Sequence, residues 1–167
     1  MTTGSGVSAW RPMEAADMGD VQAISDLVHG AYSETPEVYG ERRALYPGGC
    51  FVLVQDRRTV GYLITHPWLT GSPPALNALL GSLPGNADTY YLHDIALLPA
   101  SRGTGAGASA VKLVVAMARA LGFESISLVA INGADRFWAS QGFDYLPTDA
   151  GIGSYGPGAL PMRHRLI

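Results

Sequence analysis

Apolar positions recur along this chain with two different periods, and the alternation between them lays out the elements. Val21, Ile24, Leu27, Val28 and Ala31 fall three and four apart and predict a helix over Asp17–Tyr32. Pro36 suits a first helical turn, so Pro36–Tyr46 reads as a second, shorter helix. Val7–Met13 reads as a first strand. Cys50–Gln55 and Val60–Thr65 are β-rich runs on either side of Asp56-Arg57-Arg58 and predict a hairpin. Thr89–Leu98 is the next strand, where regular alternation places Tyr91, His93, Ile95 and Leu97 on one face and Tyr90, Leu92, Asp94, Ala96 and Leu98 on the other.

The clearest helix is Gly105–Leu121, with Val111, Val114, Val115, Ala118 and Leu121 as its buried stripe. Ser125–Ile131 reads as a buried strand and Gly133–Gln141 as a short helix stopped by Gly142. Phe143–Leu146 and Pro161–Leu166 are the last strands, joined through GIGSYGPG. Leu69–Asp88 is rich in Pro, Gly, Ser and Asn. A loop of that length in a compact domain is usually functional or mobile, and one helical turn is expected around Ala75–Leu80. Met1–Gly6 reads as a flexible tail ahead of a single domain over residues 7–167. The element order predicts a mixed α/β, or α+β, sheet domain.

Composition narrows the class. With 167 residues, 47% of them hydrophobic and 15% charged, the chain suits one domain with a proper core. No apolar run approaches the roughly 18 residues of a membrane span. The opening MTTGSGVSAW lacks a basic stretch followed by an apolar one, so a cytoplasmic protein with no membrane partner is the expectation. A net charge of −3 argues against nucleic acid as a partner. The single cysteine, Cys50, excludes an internal disulfide and a cysteine-based zinc site, and no metal cluster is visible. Cys50 opens an apolar strand and reads as a buried, inert thiol.

The chemistry concentrates where the fourth predicted strand hands over to the third helix. Gly103, Gly105 and Gly107 stand on alternate positions beside Arg102 and Thr104. The first N–H groups of a helix have no internal partner, and glycine lets an anion approach them closely. Arg102 adds a charge able to grip a phosphate bidentately, and Thr104 adds a hydroxyl. A dinucleotide of the Rossmann type is disfavoured, because the strand Ser125–Ile131 carries no acid where the ribose would need one. A P-loop is excluded because no Gly-Lys-Ser/Thr follows.

Arg102-x-x-Gly105-x-Gly107 after an apolar strand resembles the acyl-CoA loop of the GNAT acetyltransferase superfamily. Asn132, Ala134, Phe137-Trp138 and Gly142-Phe143 are similar to that family's closing segment. The element order agrees from Val7 to Leu166. Within the superfamily, Leu92-His93-Asp94-Ile95-Ala96-Leu97 looks most like the arylalkylamine N-acetyltransferases. The resemblance implies a mostly antiparallel sheet of about seven strands flanked by helices, with one strand pair splayed to hold acyl-CoA. It implies that the backbone of Ile95, Ala96 and Leu97 pairs with the pantetheine arm. Arg102, Gly103, Thr104, Gly105, Ala106, Gly107 and Ala108 would then wrap the pyrophosphate, and Asn132 and Trp138 would lie by the thiol. The donor implied is acetyl-CoA, with no metal; the acceptor is a small-molecule primary amine, and the enzyme a monomer or homodimer.

Direct transfer to an amine needs a base, a donor for the developing oxyanion and a departing thiolate. His93 is the candidate base, since histidine exchanges protons near neutral pH. Tyr91 stands where the arylalkylamine enzymes carry a second histidine. Trp138 stands where many relatives carry a tyrosine thought to protonate the thiolate, and an indole cannot do so. Tyr91, Tyr145, Tyr155 and Ser140 are the substitutes the sequence offers. Asp94 reads as structural, and His29 gives no signal. His66-Pro67-Trp68, Glu34, Pro36 and Glu37 are candidates for the acceptor pocket. Two other readings stay open: an acyl-CoA sensor without turnover, and an acetyltransferase acting on a peptide or protein amine.

Overall fold

The computed structural model describes residues 7–147 and 153–166. The expected tail, Met1–Gly6, and part of the GIGSYGPG connection lie outside the described residues. Among the described residues are four α-helices and seven strands: β1 (Ala9–Pro12), α1 (Met18–His29), α2 (Pro36–Leu45), β2 (Cys50–Gln55), β3 (Arg58–Trp68), β4 (Thr89–Leu97), α3 (Ala106–Ala120), β5 (Ser125–Ala130), α4 (Asp135–Ser140), β6 (Asp144–Tyr145) and β7 (Leu160–Arg165).

The strands form one sheet in the order β1-β2-β3-β4-β5-β7-β6. Every neighbour is antiparallel except β4 and β5, which run parallel. The β2–β3 hairpin turns through Asp56 and Arg57, both at positive φ, as the right-handed twist of the two strands requires. Two apolar layers sandwich the sheet. Val21, Ile24 and Tyr39 from α1 and α2 pack on Val52, Tyr62, Ile64 and Ala96. On the opposite face Ala110, Val111, Val114 and Ala118 of α3, with Trp138 of α4, pack on Leu63, Tyr90, Leu92, Ile126 and Met162.

Three expectations need correction. Residues Ala75–Leu80 form no helix; there is a turn at Leu76–Asn77, with Asn77 at positive φ and its backbone held by Glu34. Leu121 is half-exposed rather than part of the α3 stripe, because the helix ends one residue earlier and its small Ala110 and Ala118 make the close approach to the sheet. The third correction bears on function. β4 is not regular. Leu92 pairs with Thr65 and Asp94 with Ile64, so His93 is an extra residue opposite β3, a β-bulge. A bulge resets the alternation: Ile95 packs toward α3 as Leu92 does, while His93 and Asp94 both turn toward α1 and α2. The alternation expected from the sequence had put those two on opposite faces.

Among the described residues no helix is long and apolar enough to cross a membrane.

Candidate active site

β4 and β5 are paired only through Tyr90–Ile126 and Tyr91–Ser127. Beyond that point they diverge, and the backbone edge of β4 from the bulge to Leu97 faces a gap. The gap is the floor of a cleft of about 950 Å³ that runs from the loop before α3 to the C-terminal end of α1. Ile95, Ala96, Leu97, Arg102, Gly103, Gly105, Gly107, Ala108, Asn132 and Trp138, all singled out in the sequence, line it.

At one end the cleft is made of backbone. Gly105 is the N-cap of α3 with φ +87°, a left-handed conformation that a side chain resists, and Gly103 has φ +76°. A Cβ at either would meet open space, so the requirement there is conformational. At Gly107 it is steric: a Cβ would stand 3.0 Å from the Phe137 ring. Among the described residues no acceptor takes the N–H groups of residues 103–108, because the ladder of α3 starts with Ser109 donating to the Gly105 carbonyl. These amides and the helix dipole make the loop an anion site. Arg102 is exposed at its edge and donates through Nε to the Leu97 carbonyl. Thr104 and Ala106 do not line the cleft: the Thr104 hydroxyl donates to the Ser101 carbonyl, and the Ala106 methyl is buried.

At the other end the cleft is made of side chains. His93 Nε2 and a Glu34 carboxylate oxygen are 2.7 Å apart, with their side chains 1% and 4% exposed. The second Glu34 oxygen accepts the Asn77 N–H at 2.7 Å. His93 Nδ1 is buried without a partner among the described residues, and so is Nε2 of His66. The two rings are 5.9 Å apart. His66 donates from Nδ1 to the Pro67 carbonyl; burial first, and His93 second, push its pKa down to about 3, so it stays neutral.

Tyr91 stacks near both histidines but does not line the cleft; it borders a separate cavity of about 170 Å³ with Ser127 and Val129. Burial holds the Tyr91 and Tyr155 phenols far above their ordinary range, so both remain protonated. Tyr155 lines the cleft and its hydroxyl donates to the Pro74 carbonyl.

The loop over residues 69–88 closes this end. Arg42 donates to Ala78, Glu41 accepts from Leu80 and Gly81, and Leu76 donates to Ser154. Of the other acceptor-pocket candidates, Pro36 and Glu37 are exposed on the first turn of α2.

Nothing in the sequence singles out His29. Its Nε2 lies 2.6 Å from Asp94 Oδ1, while Tyr62 donates to Oδ2 at 2.7 Å. Asp94 and His29 are 65 residues apart, and only the bulge turns Asp94 toward α1, so no spacing rule signals the pair. Cys50 is fully buried away from the cleft, and burial pushes its thiol up to about 12. Tyr145 and Ser140 lie outside the cleft, bonded to Asp135 and to the Phe137 carbonyl. Among the described residues no cluster of His, Cys, Asp and Glu suits a metal ion.

A parallel strand pair that opens beyond a bulge, with an amide-lined helix start at its mouth, makes a cleft that can hold a long anionic ligand along a free strand edge. The sequence profile of the Acetyltransferase (GNAT) family matches residues 21–143, and the chain belongs to that family. Curated protein sequences yield no match. Solved structures share the fold at low identity. The loading GNATL domain of CurA from Lyngbya majuscula superposes with a TM-score of 0.82 at 14% identity, covering 96% of this chain and 98% of that one. The GphF GNAT-like decarboxylase in complex with isobutyryl-CoA gives 0.78 at 16%, covering 95% and 100%. The NatC complex bound to Gag peptide and CoA gives 0.73 at 13%, covering 96% and 99%. The family resemblance read from the loop and the Gly-Phe segment holds. Its narrower form, the arylalkylamine branch, finds no support in these structures.

Proposed function

We propose that residues 7–167 form one cytoplasmic N-acetyltransferase domain that moves an acetyl group from acetyl-CoA to a primary amine of a small molecule, by direct attack. The observation that carries this reading is the continuity of the cleft. An amide-lined anion site at one end and a buried His–Glu pair at the other share one floor, the free edge of β4. Arg102 and the amides of residues 103–108 would take the pyrophosphate. The edge from Ile95 to Leu97 offers alternating donors and acceptors to the two amides of pantetheine. Asn132 and Trp138 would flank its thiol end.

His93 is the proposed base. Glu34 fixes its Nε2, and its unpartnered Nδ1 gains a partner when an amine, or a water that relays the amine's proton, binds. Tyr91 contributes a neutral hydroxyl beside that ring rather than a charge. The loop over residues 69–88, tied to α2 and to Tyr155, supports a small acceptor over a peptide, whose chain needs an open groove. The buried, high-pKa Cys50 favours direct attack over an acyl-cysteine route. The test is acetyl-CoA consumption against a panel of small primary amines and N-terminal peptides. Turnover with peptides alone would move the acceptor class, and CoA binding without any turnover would favour the sensor.

A further inference from the structure

Transfer to an amine leaves a thiolate, and position 138 holds a tryptophan that cannot protonate it. Of the substitutes the sequence offers, Tyr145 and Ser140 lie outside the cleft. Tyr91 opens on a different cavity, and the Tyr155 hydroxyl donates to Pro74. His29 is placed differently. It lines the cleft at the end of α1, and its Nε2 is fixed by Asp94. Its Nδ1 has no partner among the described residues and is not one of the sealed polar atoms. Its side chain is 11% exposed where that of His93 is 1%. The two histidine–carboxylate pairs therefore differ: one presents a sealed nitrogen to the pocket, the other an open one to the cleft.

The loop reading also sets where a thioester would fall. With the pyrophosphate on residues 103–108, past the C-terminal end of β4, the pantetheine arm must run back along β4 from Leu97 toward the bulge. Its sulfur then arrives beside His93 and Asp94, the residue that holds His29.

We propose that His29, oriented by Asp94, returns the proton to the coenzyme's sulfur as the acetyl group leaves. This rests on the acetyl-transfer reading. The amine nitrogen attacks the thioester carbon, the C–N bond forms, and the C–S bond breaks with its electron pair going to sulfur. The proton lost by nitrogen passes to His93, and the proton on His29 Nδ1 passes to sulfur. Exchange with solvent restores both rings. The groups facing His29 are Asp94, Tyr62, Glu34 and, from the loop, Arg102. Burial lowers its pKa, but the Asp94 carboxylate outweighs burial, with Glu34 adding and Arg102 opposing. The net direction is upward, toward the imidazolium form.

The test has two arms. In the first, kcat is followed against pH for the wild type, H29Q and Y32F, Tyr32 being another phenol on this wall. The wild type should lose turnover on the alkaline side as His29 deprotonates. H29Q should lower kcat about tenfold to a hundredfold and abolish that limb, with KM for acetyl-CoA unchanged. Y32F should keep the alkaline limb, whatever its effect on kcat. A retained alkaline limb in H29Q, or its loss in Y32F, overturns the proposal. In the second arm, the His29 ring is titrated by NMR in the wild type with CoA and with desulfo-CoA, which lacks only the sulfur. CoA alone should shift the titration; an equal response to both, or to neither, overturns the proposal. This arm needs no turnover and no variant that folds. If no amine is acetylated, the transfer reading fails in the assay while the titration still decides whether His29 meets the sulfur.

Discussion

The two ends of the cleft are built on different principles. The loop end is seven consecutive residues, Arg102 to Ala108, whose chemistry is backbone amide, glycine dihedral and one guanidinium. The bulge end is assembled from side chains that are distant in sequence: His29 and Glu34 around the α1–α2 connection, His66 on β3, His93 and Asp94 on β4, and Tyr155. The first kind of site is carried by a motif and tolerates change elsewhere. The second exists only when the sheet register and one extra residue in β4 bring its members together. Binding should therefore fail through the loop, and turnover through the bulge.

The sharpest break of that division is G105D. It forces a side chain into a left-handed position at the N-cap and sets a carboxylate against the anion site. Acetyl-CoA affinity should fall about a hundredfold or more by calorimetry, which is roughly 2.7 kcal/mol. An unchanged affinity would show that the loop is not the donor site.

Acid separates the ends next, because backbone amides do not titrate and the bulge end does. His66 is pushed down to about 3 by burial, against an ordinary value near 6.5. Above the ordinary value neither state binds a proton there. Below it the unfolded chain takes up a proton that the folded chain refuses, so stability falls as pH drops from about 6.5 toward 3. The slope is at most about 1.4 kcal/mol per pH unit. Denaturant unfolding of H66F should show a flatter decline over that window. An equal slope in the two proteins would mean that His66 is not held neutral.

This contrast also explains what the sequence disclosed. Gly103, Gly105 and Gly107 could be read because their requirement is local: a conformation at the first two, space for Phe137 at the third. The element order, β4 and α3 were likewise visible in period-two and period-3.6 patterns. His93 was singled out, but its face was misassigned, since a bulge leaves no mark in the hydrophobic alternation of a strand whose two sides are both buried. Asp94 and His29 were passed over for the same reason. The loop over residues 69–88 looked open to a helical turn, and nothing local showed that Glu34 and Glu41 would hold its amides instead.

A smaller effect sharpens the loop end. The protein carries a net charge of −3, so phosphates bound at the loop would depend on a local field, to which Arg102 would contribute its guanidinium. Raising the ionic strength to about 1 M, where the Debye length is about 3 Å, should weaken CoA binding several-fold. R102A should bind more weakly at low salt and lose most of that salt dependence. Equal salt curves for the two proteins would remove Arg102 from the site.

The central claim is that His93 drives transfer without holding the donor. Its most direct test sets initial rates of amine acetylation against acetyl-CoA affinity in the wild type, H93A and H93Q, the last keeping a hydrogen-bond partner for Glu34. Turnover should fall by about a hundredfold or more in both variants, with affinity unchanged and the acid limb of kcat/KM lost. Near-normal turnover in H93Q, or a joint loss of turnover, affinity and thermal stability in both variants, would contradict it.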